Sequence, residues 1–135
     1  MRDFIKELRN NTNKEKIIIT QNGNELYLKK GKIDNKFFAV TNGTTQESLY
    51  YGDELRFNVP TPKGLKNELL ELTVPIRKKG KPVFVINYGK GKKKREFLKK
   101  EDLKTKFVSE LLPSFNADKL YETIEDYSDE DIYSL

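Results

Sequence analysis

The sequence predicts an α+β fold that is mainly β: a small curved sheet or OB-like barrel of six or seven short antiparallel strands. A short N-terminal helix and one or two C-terminal helices flank it. Three observations predict this. Between positions 17 and 88 the β-branched and aromatic residues fall in short runs. Turn dipeptides separate those runs at intervals of about 8–12 residues. Helical spacing of apolar residues is clearest at the two ends of the chain.

Phe4, Ile5 and Leu8 share one face at helical spacing, so residues 2–9 read as an amphipathic helix ending in Asn10-Asn11-Thr12-Asn13. Ile17-Ile18-Ile19-Thr20 is β-branched, Asn22-Gly23 is a two-residue hairpin signal, and Glu25-Leu26-Tyr27-Leu28 reads as the returning strand. Gly31 to Asn35 forms the next turn. A second hairpin then runs through Lys36-Phe37-Phe38-Ala39-Val40-Thr41, Asn42-Gly43 and Glu47-Ser48-Leu49-Tyr50-Tyr51. Leu55, Phe57 and Val59 alternate on one face before Pro60-Thr61-Pro62 ends the strand.

The stretch 65–72 fits two periods. Leu65, Leu69 and Leu72 fall on one helical face, while Leu70, Leu72 and Val74 alternate as in a strand, and a strand over 69–74 is the preferred reading. Pro75 marks its edge. Arg77 to Lys81 forms a basic turn around Gly80, and Pro82 to Tyr88 is an apolar strand. Residues 89–95 read as a flexible basic loop. From Phe97 the pattern turns helical, with Leu98, Leu103, Phe107, Leu111 and Leu112 as buried positions and Pro113 as the stop. A last helix begins near Ala117 with Asn116 as its N-cap candidate.

A chain of 135 residues with 36% hydrophobic composition supports one modest core. Charge divides it into a basic β-rich domain over 1–117, net +11, and an acidic segment over 118–135, net −6. The stretch 77–106 is densest, with thirteen Lys and Arg against three acids, a clustering that attracts polyanions. With neither cysteine nor histidine, disulfides, thiolate zinc sites and every His-based catalytic dyad are excluded. No calcium loop or nucleotide fingerprint is present; Gly89-x-Gly91 lacks the remainder of either phosphate-binding motif. The expectation is therefore a non-enzymatic protein without metal or cofactor. Charges interrupt the N-terminal run too often for a signal peptide, and no run approaches the ~18 apolar residues that span a bilayer, which predicts a cytoplasmic protein with no membrane partner.

Candidate phosphate contacts are Arg77, Lys78, Lys79, Lys81, Lys90, Lys92, Lys93, Lys94 and Arg95, since ammonium and guanidinium groups displace the counterions of a nucleic acid. Tyr27, Tyr50, Tyr51 and Tyr88 are candidate stacking platforms, with core packing as the alternative for each. In an alternating strand, one ring of Phe37-Phe38 and one of Tyr50-Tyr51 would face each side of the sheet.

The tail ends in Asp129, Glu130, Asp131, Ile132, Tyr133, Ser134 and Leu135, acidic with an apolar tip. Together with the basic β-rich body it resembles the single-stranded DNA-binding proteins of bacteria, phages and plasmids, although the Pro-Phe ending of that family is absent. The resemblance implies an oligonucleotide-binding barrel and single-stranded DNA as partner. It also implies a partner-docking role for Asp129, Glu130, Asp131, Ile132, Tyr133 and Leu135. The sequence leaves open two other readings: an interaction or inhibitor protein directed at a nucleic-acid enzyme, and a duplex binder of low sequence specificity.

Overall fold

The computed structural model describes residues 1–115. The acidic segment 118–135, the helix expected from Ala117 and the candidate docking residues Asp129, Glu130, Asp131, Ile132, Tyr133 and Leu135 lie outside them. Among the described residues four helices and six strands are formed: α1 (Arg2–Asn10), β1 (Ile19–Gln21), β2 (Leu28–Lys29), β3 (Lys32–Ile33), α2 (Asn35–Val40), β4 (Gly43–Glu47), α3 (Lys63–Lys78), β5 (Val83–Tyr88), α4 (Lys92–Thr105) and β6 (Val108–Leu112). The main sheet has the order β1-β4-β5-β6 and every pairing in it is parallel. Among the described residues antiparallel pairing is limited to β2 with β3, two residues each, and to an isolated bridge between Tyr51 and Pro60. The fold is therefore α+β with a parallel sheet and crossover helices, which corrects the expected antiparallel barrel.

The hairpin signals fail for a local reason. Asn22 and Gly23 take the left-handed φ values of 56° and 60° that a tight hairpin turn requires. The chain then enters a 3₁₀ turn, Asn24–Tyr27, instead of a returning strand. This turn buries Tyr27 edge-on to Phe37, ring centroids 4.8 Å apart. The segment read as strand 36–41 is α2: the Asp34 carboxylate accepts from the backbone N–H groups of Lys36 (3.1 Å) and Phe37 (3.4 Å), an N-cap that overrides the β preference of the two phenylalanines. Phe37 is buried and Phe38 half-buried, so the two rings are divided by a helix and not by a pleat.

Gly43 likewise opens β4 and does not turn a hairpin. A Cβ there would lie 2.9 Å from Pro82 Cγ and 3.0 Å from its carbonyl oxygen, so only glycine lets β4 approach the start of β5 this closely. Of the expected strands 47–51 and 54–59, Glu47 closes β4 and the remainder is connecting loop. Asn87 Oδ1 holds the first of them by accepting from the N–H groups of Tyr50 (2.9 Å) and Tyr51 (3.1 Å). The second contains a 3₁₀ turn in which Glu54 and Leu55 have φ of 53° and 60°.

The ambiguous stretch 65–72 belongs to α3. Leu69, Thr73 and Ile76 follow one helical face, with Thr73 and Ile76 buried. Pro75 lies inside this helix, not at a strand edge. The apolar strand 82–88 is β5, with Val83, Val85 and Asn87 buried in strict alternation. In register with them on the same face are Thr44 and Gln46 of β4, and Ser109 and Leu111 of β6. Ile76 of α3 and Leu98 of α4 belong to the core that gathers there.

The C-terminal helix ends earlier than its apolar spacing predicts. Lys106 adopts φ 65° and stops α4, Arg77 Nε donates to the Lys106 carbonyl (3.0 Å), and Asp102 accepts from the N–H (2.8 Å) and the hydroxyl (2.6 Å) of Ser109. These bonds turn the chain into β6, so Leu111 and Leu112 are strand residues and not helical ones.

Candidate nucleic-acid interface

The candidate cations separate into two groups set by the ends of β5. Arg77, Lys78, Lys79 and Lys81 precede that strand, while Lys90, Lys92, Lys93, Lys94 and Arg95 follow it. Helix α4 connects the two groups, because it begins after β5 at Lys92 and returns to the start of β6. Its 14 residues span about 21 Å at 1.5 Å per residue. The expected flexible loop 89–95 thus becomes, from Lys92, the first turn of a helix. Four consecutive bases there stand at the positive end of the helix dipole, where they disfavour the helix and gain from any anion placed opposite them.

At the far end, α3 and α4 form a cleft of about 460 Å3 lined by Val74, Arg77, Lys78, Lys104, Thr105 and Lys106. Among the described residues that line it, four of six are cationic and none is acidic. Lys104 reaches Glu101 at 3.4 Å, one turn away and outside the lining. Lys78, Lys104 and Lys106 are exposed, as are Lys92, Lys93, Lys99 and Lys100 along the same helix. Lys104 and Lys106 were not among the candidates read from sequence. Only the helix-to-strand switch at Lys106 places them beside Arg77, and no sequence pattern marks that switch.

Lys79 and Lys81 have a different role. Lys81 Nζ donates to the carbonyls of Phe38 and Thr41 and lies 4.1 Å from the Phe38 ring centroid, while Lys79 Nζ donates to Asn35 Oδ1 and also faces that ring, at 5.1 Å. Both tie the entry of β5 to α2. Burial first, then the charges of Arg9 and Lys79, holds the Lys81 ammonium below its ordinary pKa.

The tyrosines divide as well. Tyr27 is 0% exposed and Tyr50 3%, so neither presents a face to a base, which removes two of the four expected stacking platforms. Tyr51 and Tyr88 are half-buried. Lys94 stands 5.7 Å from the Tyr51 ring centroid, placing one remaining ring in the basic region. Tyr88 lies 4.7 Å from the Phe115 ring centroid and donates its hydroxyl to Glu47 Oε1 at 3.0 Å. Burial, then that hydrogen bond and the Glu47 charge, pushes its phenol up to about 12.

Among the described residues no group of three or more Asp and Glu is placed to hold a metal ion, and no helix is long and apolar enough to cross a membrane. Compared with known protein families and with curated proteins, the chain matches none.

Proposed function

We propose that the protein is an intracellular, non-enzymatic binding module that holds nucleic acid by its phosphate backbone, along the exposed basic side of α4 and the adjoining end of α3. The observation that carries this reading is the cleft at Arg77, Lys78, Lys104 and Lys106, where the described lining residues gather four cations without a carboxylate. Like charges drawn together from two helices repel one another, an arrangement that gains when a polyanion neutralises them. Lys99, Lys100, Lys92 and Lys93 extend the surface along α4. Single-stranded DNA is the form favoured here, with Tyr51 as the stacking ring. With Tyr27 and Tyr50 in the core, affinity rests mainly on charge, so discrimination between strand forms should be weak.

The test is fluorescence anisotropy with single-stranded DNA, duplex DNA and RNA of equal length over a salt series. The expected result is affinity that falls steeply with salt, and a triple variant Lys78→Ala, Lys104→Ala, Lys106→Ala whose log–log salt slope is shallower by about two to three. Absence of binding at about 50 mM salt would overturn the reading and redirect the basic surface to an acidic protein partner.

A further inference from the structure

A second cleft, of about 500 Å3, opens where the carboxyl ends of β1, β4 and β5 meet the loop after Gly52. In sheets of parallel strands this is the edge at which ligands are bound, because the turns leaving the strands converge there while the layers behind them stay packed. Its composition is opposite to that of the rest of the surface. Lys and Arg make up 26 of 135 residues, so twelve lining residues would hold about two by chance; the twelve described residues that line it include none, and they include Glu47, Asp53 and Glu54.

Glu47 is the fixed point. Its Oε1 accepts from Gln21 Nε2 (2.9 Å) and from the Tyr88 hydroxyl (3.0 Å), and its Oε2 accepts from Asn22 Nδ2 (3.2 Å). All three donors are neutral, so they orient the carboxylate without cancelling its charge. Asp53 has a partner in Arg56 at 3.5 Å, while Glu54 is exposed at the rim. Facing the acids, Leu65 and Leu69 of α3 and the Phe115 ring supply an apolar wall.

We propose that this cleft binds an amphipathic organic cation, an amine with an aromatic or branched aliphatic body. The ammonium pairs with Glu47 and the body lies against Leu65, Leu69 and Phe115. A lining that combines a carboxylate oriented by neutral donors with apolar and aromatic surface favours this class over a free metal ion, which has no use for the apolar wall, and over an anion, which Glu47 repels.

The experiment is an amide NMR titration of the full chain with three probes sharing one body: 2-phenylethylamine, 2-phenylethanol and phenylacetate. The amine is expected to give saturable shifts at Gln46–Ser48, Gly52–Leu55 and Tyr88, at least about tenfold tighter than the alcohol, with no saturation by the acid. Glu47→Gln should weaken the amine by about tenfold, and Glu54→Gln, on an exposed turn whose alteration spares the core, by about threefold. Equal affinity for amine and alcohol, shifts centred elsewhere, or no saturation by about 20 mM amine would each overturn the proposal. So would an unchanged affinity in a folded Glu47→Gln variant; should that variant not fold, an unchanged affinity in Glu54→Gln does the same.

Discussion

The two halves of the core beneath the parallel sheet are built from different chemistry. Beside β5 and β6 it is mainly apolar: Val83, Val85, Leu98, Phe107, Leu111 and Ile76 are all 4% exposed or less, with Asn87 the buried polar residue of β5. Beside β1 and β4 the buried groups are polar and bonded to one another. Thr44 Oγ1 lies 2.5 Å from Asn24 Oδ1, and Asn24 Nδ2 donates to Gln46 Oε1 at 2.9 Å. The Tyr27 hydroxyl sits within 2.8 Å of Thr41 Oγ1, 2.9 Å of Thr20 Oγ1 and 3.1 Å of the Gly43 carbonyl. An apolar half is held by burial and tolerates some change of shape. A polar half is held by direction, since each bond fixes one partner and a lost partner leaves a desolvated group behind.

The largest effect should come from the apolar half. Ile76 is 0% exposed and sits where α3 meets the sheet. Ile76→Ala removes buried methyl groups and leaves a cavity, so it should lower unfolding free energy by about 3–4 kcal/mol. Urea denaturation would read this as a fall in the midpoint at constant slope. A loss under about 1 kcal/mol would mean that the cavity collapses, and that this half is as loosely specified as an oily core would be.

The same contrast explains what was legible in the sequence. Strand β5 was readable because Val83, Val85 and Ile86 carry strand propensity and apolar burial together, and α1 was readable from Phe4, Ile5 and Leu8. Strand β4 was missed: it is Gly-Thr-Thr-Gln-Glu, and its buried positions Thr44 and Gln46 look like surface. Helix α2 was missed because two phenylalanines outweighed an aspartate whose capping role depends on geometry. Once β4 and α2 were misread, the parallel order could not follow, since the crossover between β1 and β4 had been read as hairpins. The candidate cations were legible as a charge density. Their division between an exposed basic surface and the structural lysines Lys79 and Lys81 was not, because it depends on which carbonyls and which ring α2 brings near them.

In the polar half the corresponding change is Tyr27→Phe, which keeps the ring against Phe37 and deletes only the hydroxyl. Thr41, 2% exposed, and the Gly43 carbonyl then lose a partner inside the core, a loss of about 1–3 kcal/mol despite the removal of a single atom. A double-mutant cycle with Thr41→Val sharpens the test. If the half is a network, the two losses should couple by about 0.5 kcal/mol or more. Additive losses would reduce it to independent bonds and erase the distinction between the halves.

The smallest effect is expected at Tyr50, which stands at the border of the two halves and breaks the rule of both. It is 3% exposed, its ring packs edge-on against Phe97 at 5.6 Å, and its hydroxyl is the one buried side-chain polar atom without a hydrogen-bond partner among the described residues. Burial first, and then the charges of Glu101 and Asp102, raises its pKa, so the group stays protonated through the whole physiological range. Tyr50→Phe therefore deletes a desolvated hydroxyl and retains the ring contact. Removing the phenolic oxygen at Tyr27 should destabilise, whereas removing it at Tyr50 should leave stability unchanged or raise it by up to about 1 kcal/mol. Thermal unfolding of the two variants side by side separates a hydroxyl that directs the fold from one that is merely carried by its ring. A loss at Tyr50 as large as that at Tyr27 would show that the Tyr50 hydroxyl is bonded after all, and would extend the polar half across β5 toward α4.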